Sequence, residues 1–153
     1  MTDVHDKKTR SRNMSAIRGK NTKPEMMIRS SLHAAGFRYR LHDKKLPGKP
    51  DIILPKYKAI IMVNGCFWHE HHCYLFKWPS TRTEFWKEKI GKNKNNDRIN
   101  LLKLQEMGWR VMIIWECALK GKKKLPFDEL IKQMTGWLKS GSDIKEISGK
   151  ENK

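Results

Sequence analysis

Between Gly65 and Cys73 the chain reads Gly-Cys-Phe-Trp-His-Glu-His-His-Cys, which puts two thiols, three imidazoles and two adjacent large aromatics into nine residues. Any fold of this chain has to accommodate that mixture in one loop. Cys66, His71 and Cys73 can give soft sulfur and borderline nitrogen to one tetrahedral zinc, with Cys117, the only other cysteine, as fourth ligand. His69 and His72 are then left for other work. The competing readings are a local Cys66–Cys73 disulfide with surface histidines and, for Cys117, a small buried thiol. Three cysteines, an odd number with two of them beside histidines, favour metal ligation in a reducing compartment.

The partner is suggested by charge. Lys and Arg number 33 against 16 Asp and Glu, a formal net charge of +17, which is far more than solubility requires and points to a polyanion. Nucleic acid is the leading candidate. The basic residues are scattered among six tryptophans and ordinary apolar segments and form no long amphipathic basic helix, which argues against a membrane surface. No run approaches the ~20 apolar residues of a spanning helix, and Met1–Arg12 lacks the apolar core of a signal peptide. The expectation is a cytoplasmic protein that acts where DNA is kept.

At 153 residues one domain is expected. Residues 1–20 read as a basic arm ordered on an anion, 21–140 as the folded domain and 141–153 as a frayed tail. Thr22-Lys23-Pro24-Glu25 has the capping-box pattern of a helix that continues to a stop at Gly36. Pro50–Leu54 and Lys58–Asn64 read as two strands joined by a tight turn. If that turn centres near Lys56, paired positions sum to about 112, and Asp51 falls opposite Ile61, within a residue or two of Val63. Thr83–Ile90 and Asp97–Met107 read as two helices separated by the polar stretch 91–96. Arg110–Glu116 reads as a buried strand with Val111, Ile113, Trp115 and Cys117 on one face, and Phe127–Leu138 as a core helix.

A carboxylate at Asp51, beside a strand that runs into the histidine cluster, can hold Mg²⁺, and the carbonyl of Val63 is the expected main-chain donor, a role to which its apolar side chain is indifferent. Bound to a scissile phosphate, such an ion stabilises developing charge and acidifies the attacking water. His69 is the candidate base, able to take a proton near neutral pH without strong tuning. Each residue has a plainer reading. Asp51 can be a turn residue, Glu25 a helix cap, and Asp97 either the partner that orients an imidazole or the start of its helix. Phe67 and Trp68 are either exposed wedges that enter an opened base step or an aromatic plug over the metal.

These residues sit in longer blocks: Thr9-Arg10-Ser11-Arg12-Asn13-Met14, Leu46-Pro47-Gly48-Lys49-Pro50-Asp51, the Gly65–Cys73 stretch, Thr81–Trp86 with Glu88–Asn93, and Gly108–Val111 through Trp115-Glu116-Cys117. Together they resemble the very short patch repair endonucleases, bacterial DNA mismatch nucleases, from about Val4 to the Gly121 region. The resemblance implies an α/β protein with a restriction-endonuclease-like core, a central mixed sheet flanked by helices, and a structural zinc site. It implies a strand-specific, Mg²⁺-dependent nick 5′ to the thymine of a T:G mismatch, the lesion left when 5-methylcytosine deaminates.

In the pattern of that family Asp51 carries the Mg²⁺, His69 activates water, and Glu25 and Asp97 assist. Cys66, His71, Cys73 and Cys117 hold zinc. Met14, Phe67 and Trp68 enter beside the mismatch, while Trp86, Lys89 and Asn93 complete the contact to the DNA. One position departs from the pattern: Asn64 stands where histidine is frequent, and an amide cannot shuttle a proton. A monomer is expected, because a T:G lesion lacks the two-fold symmetry of palindromic sites, with a repair polymerase and mismatch-repair proteins as candidate partners. Two alternatives stay open: a restriction-type endonuclease without mismatch preference, and a zinc-stapled DNA-binding protein without catalysis.

Overall fold

The structure, a computed structural model, describes residues 22–69, 71, 73 and 76–150. The basic arm with Met14, and His72 within the histidine cluster, lie outside the described residues. Helix α1 (Lys23–Ala34) starts where the capping pattern puts it, with the Thr22 hydroxyl accepting from the Glu25 N–H and Pro24 in the first turn. It stops at Gly36, whose φ of +88° suits glycine. Strands β1 (Arg40–Leu41), β2 (Ile52–Leu54) and β3 (Ala59–Asn64) follow. The β2–β3 connection is a single 3-10 turn, Pro55–Tyr57, closed by Lys58 in the left-handed region. Its register is Ile52↔Ile61 and Leu54↔Ala59, one residue off the expected pairing, because the turn centre falls between Lys56 and Tyr57.

Helix α2 (Thr83–Glu106) leads to β4 (Arg110–Trp115), and α3 (Phe127–Ser140) leads to β5 (Ile144–Ile147). Two expectations are corrected here. The helices expected over Thr83–Ile90 and Asp97–Met107 are one unbroken 24-residue helix, so Asp97 lies mid-helix and starts nothing. A Gly91 in a helix costs only about 1 kcal/mol, and the burial of Ile90 before it and Leu104 after it holds both halves to one axis. The tail expected over 141–153 is also partly structured. Residues Ile144–Ile147 pair parallel to β4, with Val111↔Ile144 and Ile114↔Ile147 in register, and Ile147 is buried. Four residues with one inward isoleucine are too short a pattern to read as a strand from sequence.

The sheet order is β1-β2-β3-β4-β5, and β2 alone runs against the rest. Alternation along each strand sorts the core into two sides. Ile52, Leu54, Ile61, Met112 and Ile114 meet Ile28 and Leu32 of α1 and Leu130, Met134 and Leu138 of α3. Ile53, Ile60 and Val111 meet Leu104 of α2 on the other face, giving three layers. Since β3, β4 and β5 advance in one direction while α2 and α3 cover opposite faces, the two crossovers are of opposite hand.

Arg110 ties the layers at one edge. Its guanidinium donates to the carbonyls of Tyr57, Trp137 and Leu138 at 2.8–3.1 Å and lies over the Trp137 ring at 4.6 Å, neutralising the C-terminal end of α3. Arg110→Met is expected to lower the unfolding free energy by about 2–3 kcal/mol, since three carbonyls lose a charged donor. Urea denaturation measures it; an unchanged midpoint would mean that water replaces the guanidinium without penalty.

Candidate active site and metal cluster

The parallel pairing of β3 with β4, Asn64 beside Trp115, brings the ends of both strands to one edge of the sheet. The segments that leave those ends carry the sulfur ligands. Cys66 follows β3 by two residues, and Cys117 sits in the 3-10 turn Glu116–Ala118 directly after β4. Between them the 65–73 loop folds back through hydrogen bonds from His71 N–H to the Cys66 carbonyl (2.9 Å) and from Cys73 N–H to the His71 carbonyl (2.8 Å). One ligand atom from each of Cys66, His71, Cys73 and Cys117 lies within 4.8 Å of the others.

This quartet fits a tetrahedral ion. With metal–sulfur bonds of about 2.3 Å and metal–nitrogen bonds of about 2.05 Å, a tetrahedron has sulfur–nitrogen edges of about 3.6 Å. The His71 Nδ1 lies 3.5 Å from Cys66 Sγ and 3.7 Å from Cys117 Sγ. All three cysteines are free thiols, so the disulfide reading does not hold in this structure. Burial pushes the Cys66 and Cys117 thiols up from their ordinary value, and neighbouring sulfur adds to it, so ionising this group needs a compensating cation. The surroundings fix the ligands in place. The His71 ring stacks on Trp115 at 4.1 Å, Cys66 N–H donates to Glu116 Oε1, and Gly149 N–H donates to Cys117 Sγ at 3.3 Å. A Cβ at Gly149 would come within 2.5 Å of the Cys117 carbonyl oxygen, so only glycine lets the chain after β5 approach the cluster.

A second cluster gathers at the start of β2. Asp51, Glu25 and His42 each bring one ligand atom within 4.8 Å of the others. Asp51 Oδ2 accepts from Val63 N–H at 2.9 Å, so the expected neighbourhood of these two residues is present. Burial raises the Asp51 carboxyl from 3.8 to about 6; the Glu25 charge adds to the rise, while the Val63 N–H, His42 and His69 oppose it. Glu25 is 1% exposed, its Oε2 taking His42 Nε2 at 2.9 Å and Arg29 at 3.3 Å. The carboxylate read as a helix cap therefore points inward to this cluster. His42 carries no local motif and was not legible in the sequence; only the pairing of β1 with β2 brings it here.

His69 is felt by the Asp51 carboxyl, and its ring centre is 6.3 Å from that of Trp115, on which His71 stacks. The His69 Nδ1 is hydrogen-bonded to Asp97 Oδ2. With the Nδ1 proton donated to a carboxylate, Nε2 is left as the free acceptor. Asn64 is buried at the end of β3. Phe67 and Trp68 are each half-buried and form an aromatic group with Trp86, with ring centres 5.2–5.8 Å apart, that Phe76 and Phe85 extend. Asn93 donates to the Trp68 carbonyl at 3.2 Å, and Lys89 is exposed on the same helix.

No helix among the described residues is long and apolar enough to cross a membrane. Residues 2–75 match the family model of DNA mismatch endonuclease Vsr. The chain is 52% identical to the DNA mismatch endonuclease Vsr of Escherichia coli (strain K12) over 138 residues, covering 90% of this chain and 88% of that protein. It is 46% identical to the type II nicking enzyme V.NmeAIP of Neisseria meningitidis serogroup A over 122 residues, 80% of this chain and 87% of that one. The type II nicking enzyme V.XorIIP of Xanthomonas oryzae pv. oryzae is 43% identical over 119 residues, 78% and 88% of the two chains.

Proposed function

We propose that this chain, which belongs to the DNA mismatch endonuclease Vsr family, nicks one strand of duplex DNA 5′ to the thymine of a T:G mismatch by Mg²⁺-dependent hydrolysis. It is a DNA mismatch endonuclease, and DNA is its substrate. The observation that carries the finer reading is the gathering of Asp51 with the buried Glu25 in one cluster, within electrostatic reach of His69, whose Nδ1 is hydrogen-bonded to Asp97. The sheet order with only β2 reversed, helices on both faces, supports a restriction-endonuclease-like core.

In this reading Asp51 and Glu25 hold the cation. A strand residue's N–H and C=O leave the same edge, so the Val63 carbonyl faces the Asp51 side as well and can join them. The ion supplies charge stabilisation on the phosphate and a more acidic water. His69 takes the proton of the attacking water at Nε2, and the Asp97 carboxylate steadies the imidazolium that results. Asn64 keeps position by hydrogen bonding and moves no proton. The Cys66, His71, Cys73 and Cys117 quartet holds zinc as a structural ion that fixes the loop carrying Phe67, Trp68 and His69. Met14 and the basic arm over residues 1–20 add DNA contacts, Trp86, Lys89 and Asn93 face the mismatch, and the enzyme works as a monomer.

The test is a strand-labelled nicking assay on a T:G duplex and its C:G counterpart, each with and without Mg²⁺. A single Mg²⁺-dependent nick 5′ to the mismatched thymine is expected. Equal cutting of the matched duplex would move the reading to a nicking endonuclease without mismatch preference, and no cutting by zinc-loaded, DNA-bound protein would move it to a binding protein. Trp68→Ala is expected to cost roughly 1–3 kcal/mol in binding to the mismatched duplex and less in binding to the matched one. Equal losses on both duplexes would make the aromatic group a plug over the metal loop.

A further inference from the structure

The carboxylate pair has a third member that no sequence motif announces. His42 follows β1 directly, with φ at +49°, in the left-handed region that histidine enters more readily than most residues other than glycine. Its N–H donates to the Asp51 carbonyl at 3.0 Å, so its main chain is locked to the chain that presents the Asp51 side chain. The imidazole then reaches Glu25 Oε2, while Glu25 Oε1, fully buried, has no hydrogen-bond partner among the described residues. A buried carboxylate oxygen without a donor is costly unless something else takes its lone pairs. A cation taken by both oxygens of Glu25, with His42 and Asp51 as its neighbouring ligands, would do so.

We propose that His42 is a nitrogen ligand of the catalytic cation, completing with Glu25 and Asp51 a mixed nitrogen and oxygen site. The proposal rests on the reading that these two carboxylates hold that cation. The geometry agrees with it. Adjacent ligands of an octahedral ion with bonds of about 2.1 Å lie about 3.0 Å apart, and His42 Nε2 lies 2.9 Å from Glu25 Oε2. The same separation serves as a hydrogen bond when no ion is bound, so the site needs little rearrangement to fill. The consequence is a metal preference. Mg²⁺ is held best by oxygen, whereas imidazole suits first-row transition ions, so His42 biases the centre toward Mn²⁺ relative to an all-oxygen site.

The test uses Mn²⁺ with the full-length, zinc-loaded protein free of DNA, followed by electron paramagnetic resonance for affinity and by electron spin-echo modulation for coordinated ¹⁴N. The wild type is expected to bind Mn²⁺ with imidazole modulation. His42→Gln should lose the modulation and bind at least roughly tenfold more weakly, while His69→Gln keeps both. Modulation that persists in His42→Gln, or is absent from the wild type, overturns the proposal and leaves His42 as the hydrogen-bond partner of Glu25. Asp51→Asn tests the parent reading separately. If it binds Mn²⁺ as tightly as the wild type, or if the wild type binds none, the carboxylate pair is not a preformed cation site and both readings fall.

Discussion

Asp51→Asn is expected to abolish Mg²⁺-dependent nicking, by roughly a thousandfold or more, and at the same time to stabilise the magnesium-free protein at neutral pH. The two effects have one cause. Asp51 sits where burial, with the Glu25 charge adding to it, raises its carboxyl from 3.8 to about 6. The folded protein thus holds that proton more tightly than the unfolded chain does. The contribution of Asp51 to stability is then greatest below about pH 4, falls as pH rises through the interval between about 4 and 6, and stays lowered above it. At about 1.4 kcal/mol for each tenfold in proton affinity, the ionised carboxylate costs on the order of 2–3 kcal/mol at pH 7.

Asparagine has the same shape and no charge, so it escapes that cost. Urea denaturation of the zinc-loaded protein should give a gain for the variant at pH 7.5 that shrinks to nothing near pH 4. Added Mg²⁺ should restore the wild type and leave the variant unmoved, because only a state that binds the ion is stabilised by it. Equal stability of the two proteins at both pH values would remove the desolvation cost assigned to the ionised Asp51. Nicking that survives in the variant would remove it from the chemistry.

Cys117→Ser is expected to release zinc and to unfold the metal loop, the larger of the two structural effects. Zinc held by thiolates contributes apparent binding free energies of about 10–16 kcal/mol in small zinc peptides, a sum that exceeds the total stability of most domains. Hydroxyl oxygen is a poor substitute for thiolate, and Cys117 Sγ lies 3.7 Å from His71 Nδ1 in the ligand quartet. Elemental analysis should find well under one zinc per chain, with a thermal transition lowered by many degrees. A full complement of zinc in the variant would exclude Cys117 from the ligand set. His71→Ala gives an independent reading of the same ion, since it removes the nitrogen and leaves every sulfur in place.

Much of this site was legible because its chemistry is local. The Gly65–Cys73 stretch carries three of the four clustered ligands within nine residues, and Thr22 to Glu25 announces its helix start. The β2–β3 hairpin was legible as well, though its register only to within one residue, because the exact centre of the turn sets the pairing. What escaped was carried by tertiary contact. His42 has no motif and enters the site only because β1 pairs with β2. Strand β5 is four residues long, and its place is made by Ile147 reaching the core and by Gly149 reaching Cys117.

The break expected within α2 has the most informative cause. Its inward stripe runs Trp86, Ile90, Asn93, Asp97, Leu101 and Leu104 at helical spacing, and the two polar members in the middle made it look interrupted. Both are satisfied from outside the helix, Asn93 by the Trp68 carbonyl and Asp97 by His69. A local rule is broken there because the site is there.

That unbroken helix also sets a measure. Lys89, Asn93 and Asp97 stand four residues apart on neighbouring turns, so the first and last are separated by about 12 Å along a single rigid axis. If Lys89 and Asn93 meet the mispaired bases while Asp97 steadies His69 over the phosphate, the helix is a ruler laid between lesion and cut. The distance from mispair to nick is then written into helical pitch rather than into any loop. Inserting one residue near Asn95 would rotate one end of the ruler by about 100° against the other, and the cut would lose its place before the fold lost its stability.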